Sequence, residues 1–153
     1  MITLEDLVSK DQTGKAMHYL IDSYSPDLRR VLVIRNNFRI PILELSITGF
    51  FDVVRKIPYR RDNPPVEVIG RPGLIAANSK LGMDCKKKAV LISAWMREKG
   101  IPYRLIASSK KRNGKFHHVF PQILVSGKWK NFDATYNYYR PFEQKIVTNA
   151  EVI

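Results

Sequence analysis

Cysteine and histidine are scarce in this chain of 153 residues, which contains one cysteine and three histidines. A single cysteine excludes an internal disulfide, so the fold does not depend on oxidation, as expected in a reducing compartment. His117 and His118 are adjacent, and neighbouring strand positions point to opposite faces, so they do not complete a zinc cluster with the cysteine. The sequence also lacks phosphate-loop and dinucleotide-binding motifs. We therefore expect neither a metal nor a cofactor.

Long hydrophobic runs are missing as well. No stretch approaches the ~20 apolar residues that a membrane span requires. The N-terminal MITLEDLVSKDQTGK lacks the basic and then apolar layout of a secretory signal. With 44% hydrophobic and 26% charged residues, the composition is that of a folded protein, and the length suits one domain. The sequence predicts a single domain, cytoplasmic or packaged in a virion, without a membrane span.

Acidic residues are few, since 14 Asp and Glu stand against 26 Lys and Arg, for a formal net charge of +12. Such an excess favours contact with an acidic partner, either a protein or peptide substrate or a nucleic acid. The basic residues are scattered along the chain, and no nucleic-acid-binding motif accompanies them. Binding to nucleic acid, or a place in a phage or mobile-element assembly, is therefore an alternative beside an ordinary solvated surface.

The first half of the chain is predicted to be mainly helical. Residues 3–35 contain good first-turn residues and the pair Ser25-Pro26, a cap followed by a first-turn proline. Residues 41–59 place apolar side chains at helical spacing. Residues 60–82 are rich in Pro, Gly and Asn, which predicts a packed loop.

The second half predicts one helix followed by an antiparallel sheet. Asp84 is a good N-cap, and Gly100 fits the position just after the end of the helix. Three extended runs follow, and the turns between them carry strong hairpin signals, Asn113-Gly114 and Ser126-Gly127. This order of elements indicates an α+β fold. We divide the domain into a helical N-terminal extension, 1–40, and a core, 41–153.

Three groups suited to chemistry stand on separate predicted elements. Cys85 opens the helix, His117 and His118 lie in the second extended run, and Asp133 ends the third. Cysteine attack on an acyl group requires a thiolate, whereas a free thiol, with a pKa of about 8.5, is mostly protonated at neutral pH. A helix N-terminus and an imidazole favour the thiolate, and a carboxylate can orient the imidazole. The alternation of side chains along a strand does not show which histidine faces the helix. A further alternative is that Cys85 is a buried thiol without a chemical role.

Two segments, GMDCKKKAVLISAWMREKGIPYRLI and FHHVFPQILVSGKWKNFDATY, resemble the transglutaminase-like superfamily of papain-type cysteine enzymes. The resemblance covers roughly residues 45–136, with order, spacing and flanking residues in agreement. The matching positions are Gly82, Asp84, Cys85, Gly100, Ile101, Pro102, Arg104, His118, Phe120, Gln122, Gly127, Trp129, Asp133 and Thr135. Three lysines, 86–88, replace the acidic or polar residues that are more usual after the cysteine, and the first 40 residues match nothing in the family.

The resemblance implies a papain-like core with a catalytic triad of Cys85, His118 and Asp133. It also implies a cysteine peptidase or amidase that acts through a thioester, for which we favour hydrolysis over transfer to an amine. Cysteine enzymes of this kind usually place two donors on the oxyanion. The backbone N–H of Cys85 is the first candidate, and Asn78 in the preceding loop is a second.

The lysines at 86–88 are interpreted as a basic rim beside the cleft, which favours an acidic protein or peptide substrate. Lys86 and Trp129 are the residues that we expect at this substrate rim. Two other classes stay open: a catalytically silent protein that keeps the fold and binds nucleic acid or an assembly through its charge, and a regulatory module with an inert Cys85.

Overall fold

The computed structural model describes residues 2–3, 10–61, 68–110, 116–145, 147 and 149–153. Within these residues the helices are α1 (Lys10–Tyr24), α2 (Ile47–Lys56), α3 (Pro72–Ala77) and α4 (Cys85–Glu98). The strands are β1 (Ile2–Thr3), β2 (Leu32–Arg35), β3 (Phe38–Pro41), β4 (Val68–Ile69), β5 (Tyr103–Ser109), β6 (His118–Val125), β7 (Lys128–Asn131) and β8 (Asn149–Val152). Short 3-10 turns precede β2 and α2 and follow α3.

The main sheet has four strands in the order β7-β6-β5-β8, and each neighbouring pair is antiparallel. The register places His118 opposite Ser108. Ser126 and Gly127 form the β6–β7 turn, with φ angles of 51° and 74°, the left-handed values that a two-residue hairpin turn requires. This predicted turn is confirmed, whereas Asn113-Gly114 lies outside the described residues.

Helix α4 lies at the centre of the fold, packed against β6 on one side and against α1 and α3 on others. Its Trp95 ring stacks on Phe50 of α2, with ring centroids 4.3 Å apart. The Trp95 indole Nε1 donates to the Ile42 carbonyl over 2.8 Å, so the polar atom of this fully buried ring is satisfied. Burial on all sides fixes α4, and with it the position of its first residue.

Both predicted ends of α4 are confirmed, and each depends on a local capping pattern. The Asp84 side chain accepts a hydrogen bond from the backbone N–H of Lys87 over 2.9 Å, as an N-cap does. At the other end Gly100 has a φ of 69°, and the N–H of Ile101 donates to the Met96 carbonyl over 2.8 Å. This is the reversed end that glycine allows, because a left-handed residue there carries no Cβ penalty.

The helical interpretation of residues 3–35 is wrong at Thr3, which lies in β1, and beyond residue 30, while residues 4–9 lie outside the described residues. Residues 32–41 form the β2–β3 hairpin, and Asn36 and Asn37 make its turn with φ angles of 51° and 65°. Asparagine tolerates the left-handed region, and the flanking LVIR and FRIP segments are rich in strand-forming side chains. The helical part of the N-terminal extension therefore ends before the hairpin begins.

Helix α2 also begins later than the predicted segment over 41–59. It starts after Ser46, whose hydroxyl accepts from the N–H of Gly49 over 3.0 Å. The predicted α+β class is confirmed, since helices pack on one antiparallel sheet and a helix lies near the N-terminus. None of the helices in the described ranges is long and apolar enough to cross a membrane.

Candidate active site

Three side chains from three elements meet where the N-terminus of α4 packs against the start of β6. Cys85 is the first residue of α4, His118 is the first of β6, and Asp133 follows β7. His118 Nε2 lies 2.6 Å from an Asp133 carboxylate oxygen, and Cys85 lies close enough to the same ring to raise its pKa. Since Nε2 is taken by Asp133, Nδ1 is the ring nitrogen left for the sulfur. The structure thus places the three predicted residues near one another, with Asp133 hydrogen-bonded to the His118 ring and Cys85 at the adjacent start of α4.

Asp133 is buried and surrounded by donors. Besides His118, it accepts from the Thr135 backbone N–H over 3.1 Å and from the Thr135 hydroxyl, and Lys145 Nζ lies 3.0 Å from its carboxylate. Burial alone would raise the pKa of Asp133, but His118, Lys145 and Thr135 outweigh it and lower that pKa to about 2. The carboxylate is therefore ionised at neutral pH.

His118 carries the opposite shift. Burial alone would lower the pKa of His118, but the hydrogen bonds to Asp133 and then to Cys85 raise that pKa to about 9. The imidazolium is therefore the stable form at pH 7. The ring also stacks on Phe120, two positions along the same face of β6, with centroids 5.6 Å apart. Its position is set by a carboxylate on one edge and an aromatic ring on one face.

Cys85 is 6% exposed and stands at the start of a helix, where backbone N–H groups and the helix dipole favour negative charge. A protonated imidazole next to this position favours a thiolate further. The arrangement can hold a thiolate and an imidazolium as an ion pair, which is the state that a cysteine nucleophile requires.

Lys88 lies one helical turn after Cys85 and is fully buried. Its Nζ donates to the carbonyl oxygens of Ile57 over 2.7 Å, Thr135 over 2.8 Å and Ala134 over 3.1 Å. Burial lowers the pKa of Lys88 to about 8, which leaves the ammonium form dominant at pH 7. The interpretation of this lysine as part of a solvated basic rim is therefore wrong.

Helical periodicity contained a signal for the burial of Lys88. It precedes Ile92 by four residues and Trp95 by seven, so the three side chains share one face of α4. Because charged residues are seldom fully buried, the sequence alone favours placing Lys88 outside the apolar face of α4.

Asn78 was expected to be an oxyanion donor, but its side chain does not reach the site. Its side-chain amide donates to the Leu74 carbonyl over 2.8 Å at the end of α3, and the residue lines a different groove, beside Lys80 and Leu91. The sequence did not predict the short helix α3, and the Asn78 amide bonds to a carbonyl in the last turn of that helix.

The two expected rim residues do not line the cleft beside His118. The Trp129 ring is covered by the Arg104 guanidinium at 4.5 Å from its centroid, on the β6–β7 side of the sheet. Lys86 is partly buried on the first turn of α4. The lining residues of the cleft include neither of them.

A cleft of about 570 Å³ opens beside His118, and tyrosines form much of its wall. We call Tyr59, Tyr136, Tyr138 and Tyr139 the tyrosine cluster. Burial, followed by the neighbouring Cys85 and Tyr136, raises the pKa of Tyr59 to about 12, so this ring of the cluster lies near the sulfur. Three of these tyrosines follow directly after the motif that ends in Thr135, where the sequence TYNYYRPF has tyrosine at three of four positions, and this aromatic enrichment is the signal in the sequence that points to them.

In the described part of the chain, no group of three or more His, Cys, Asp or Glu side chains is placed to hold a metal ion. Family models give no match to this chain, and comparison with curated proteins gives none. Among solved structures, the chain is similar to a "putative cysteine protease" from Cytophaga hutchinsonii, at 15% identity and a TM-score of 0.45. The similarity covers 93% of this chain and 50% of the other, so the chain spans half the length of that protein.

Proposed function

We propose that the protein is a transglutaminase-like cysteine peptidase or amidase, in which Cys85 is the nucleophile, His118 the general acid and base, and Asp133 the group that orients the imidazole. The observation that carries this proposal is the 2.6 Å contact between His118 and Asp133, with Cys85 at the start of α4 near enough to the imidazole to raise its pKa. An ionised carboxylate at one end and a protonated imidazole in the middle are the charge states that this chemistry needs.

The reaction follows from these positions. The Cys85 thiolate attacks the acyl carbon of an amide, and the oxygen that becomes negative is held by the backbone N–H of Cys85 at the start of α4. The C–N bond then breaks as His118 gives its Nδ1 proton to the leaving amine, which leaves a thioester on Cys85. Water, deprotonated by the now neutral His118, attacks the thioester, and the carboxylic acid leaves with the thiolate restored.

We favour hydrolysis over transfer to an amine, because a small catalytic domain has little room to bind a protein amine and exclude water. The excess of basic residues supports an acidic protein or peptide as substrate. We further propose that the described ranges before and after residue 40 belong to one domain, because α1 packs against α4, which carries Cys85.

Alkylation of the thiol tests this proposal without knowledge of the substrate. Cys85 is the only cysteine of the chain, so the mass gain from iodoacetamide reports on it alone. We expect alkylation at pH 6 to be about tenfold or more faster than that of free cysteine. His118→Ala should remove this advantage, and His117→Ala, an exchange of the exposed neighbour, should keep it. Ordinary thiol rates in all three proteins would refute the proposal.

The net charge of +12 favours a second candidate function. In this alternative the protein has no catalytic activity and uses its basic surface to bind nucleic acid or a phage or mobile-element assembly. Binding of a DNA duplex at several salt concentrations separates the two candidates. A steep loss of affinity with salt that is the same in Cys85→Ala, together with an unreactive wild-type thiol, would favour this second function.

A further inference from the structure

The tyrosine cluster presents aromatic surface to solvent at the point where the cleft meets His118. The Tyr138 side chain is 69% exposed and that of Tyr59 is 40% exposed. Both line the cleft with Tyr136, Tyr139 and His118. Singly exposed aromatic rings are ordinary, but a group of them beside a reactive centre is typical of a binding site.

The rings of the cluster hold one another in place. Tyr136 and Tyr138 are nearly parallel, 5° apart with centroids 5.4 Å apart. Tyr139 meets both edge-on, at 5.2 Å from Tyr136 and 5.0 Å from Tyr138, and Tyr59 lies 4.9 Å from Tyr136. Tyrosine has few rotatable bonds, so the side chains of the tyrosine cluster lose little conformational entropy when a ligand binds to them. The geometry is that of a preformed aromatic surface.

Aromatic rings attract cations, but a lysine of this chain already occupies one ring of the cluster. Lys145 Nζ lies 3.3 Å from the Tyr139 ring centroid, so a cationic ligand would meet a positive charge there, whereas the imidazolium of His118 is balanced by the ionised Asp133. Lys110 also lines the cleft. Glu143 is the acid on this wall, and its carboxylate accepts the backbone N–H of Arg140 over 3.3 Å.

We propose that the tyrosine cluster is a specificity subsite that takes a large uncharged side chain, above all an aromatic one, from the peptide residue next to the bond that Cys85 attacks. This inference rests on the proposed function, since it names the substrate class of the same site. An aromatic side chain would stack on the open face of Tyr138, whereas an alanine methyl would leave that face in water.

Covalent probes test the subsite with the thiol as reporter. N-acetyl-phenylalanine chloromethyl ketone and its alanine and lysine counterparts react as the Cys85 sulfur displaces chloride, which forms a C–S bond. We expect the phenylalanine probe to label Cys85 about tenfold or more faster than the alanine probe. We expect the lysine probe to be slower than the phenylalanine probe as well.

Variants of exposed tyrosines show whether the preference arises in the cluster. Tyr138→Ala should bring the phenylalanine-to-alanine rate ratio close to one, and Tyr138→Phe should keep it. Tyr19→Ala removes a ring that is 56% exposed on α1 and does not line the cleft, so it should leave the ratio unchanged. Thermal unfolding of each variant checks that the fold is intact. If Tyr138→Ala fails to fold, Tyr59→Ala, at the other exposed ring that lines the cleft, takes its place and should lower the ratio, whereas an unchanged ratio would overturn the subsite.

The outcomes separate the inference from the function on which it rests. Fast iodoacetamide labelling with equal rates for all three probes would overturn the subsite and leave the proposed function standing. A thiol that reacts slowly with iodoacetamide and with every probe would overturn both. Protection of Cys85 by a chitin oligosaccharide, but not by N-acetyl-phenylalaninamide, would replace the peptide side chain with a sugar as occupant.

Discussion

Lys88 Nζ donates a hydrogen bond to the Thr135 carbonyl oxygen over 2.8 Å, and this contact joins the helix that begins with Cys85 to the segment that carries Asp133. Cys85 lies three residues before Lys88, and Asp133 lies two residues before Thr135. An ammonium group has three N–H donors, and Lys88 uses them on three backbone carbonyls. The buried lysine therefore fixes the separation between two members of the proposed triad.

Replacement of Lys88 by Met should destabilise the protein. The methionine avoids the cost of burying a charge, but it leaves three carbonyl oxygens without this donor, and each such loss costs about 1–3 kcal/mol. We expect the free energy of unfolding, measured with urea at pH 7, to fall by about 2 kcal/mol or more. Lys15→Met, on an exposed position of α1, should change it by less than about 0.5 kcal/mol. Equal effects in the two variants would show that the three hydrogen bonds contribute nothing.

The ion pair of His118 and Asp133 should make stability depend on pH in a defined window. The pKa of His118 rises from 6.5 to about 9 on folding, so its contribution is complete below pH 6.5 and is lost as the pH rises through 9. The pKa of Asp133 falls from 3.8 to about 2, so its contribution is present above pH 4 and is lost as the pH falls through 2.

Unfolding of the wild type and of His118→Gln in urea at pH 5.5, 7.5 and 9.5 measures this contribution. We expect the stability difference between the two proteins to be largest at pH 5.5 and to shrink at each step toward pH 9.5. A difference that stays constant over this range would mean that folding does not shift the pKa of His118, and a difference that grows toward pH 9.5 would mean that His118 is neutral in the folded state.

Local signals explain which parts of the fold could be predicted. Asp84 and Gly100 mark the ends of α4 because a cap needs only a few adjacent residues. The hairpin turn at Asn36-Asn37 was missed because its strands are short and the surrounding composition favours helix. Strand propensity depends on neighbours that a sequence does not show.

The residues of the candidate site also divide into those that the sequence predicts and those that only the folded chain brings together. Cys85, His118 and Asp133 could be proposed from the sequence because a family resemblance fixes their order and spacing. The direction of the Asn78 side chain could not be predicted because it depends on helix α3. The Pro- and Gly-rich sequence of residues 60–82 does not suggest a helix there. The tyrosine cluster is assembled from residue 59 and residues 136–139, and only the folded chain brings these segments together.

Asp133→Asn should shift the pH dependence of catalysis as well as its rate. Under the proposed mechanism His118 must be protonated to release the amine, so kcat/KM of the wild type should decline above about pH 9. Loss of the carboxylate removes the largest interaction that raises the pKa of His118, and the decline should move toward pH 7. We also expect kcat/KM to fall about 100-fold or more, because a neutral amide no longer stabilises the imidazolium. The profile is measured on a peptide substrate cleaved by the wild type, and an unchanged alkaline limit would remove Asp133 from its assigned role.

The N-cap of α4 should matter for the thiol as well as for stability. Asp84→Ala removes the hydrogen bond to the Lys87 N–H and allows the first turn to fray, which costs about 1 kcal/mol and loosens the position of Cys85. Ser46→Ala removes the equivalent bond to the Gly49 N–H at the start of α2, with a similar expected cost. Iodoacetamide alkylation at pH 6 should therefore slow in Asp84→Ala but not in Ser46→Ala, although urea unfolding shows both proteins to be weakened. Equal slowing in the two variants would mean that the thiol responds to overall stability, and that the first turn of α4 has no special part in its reactivity.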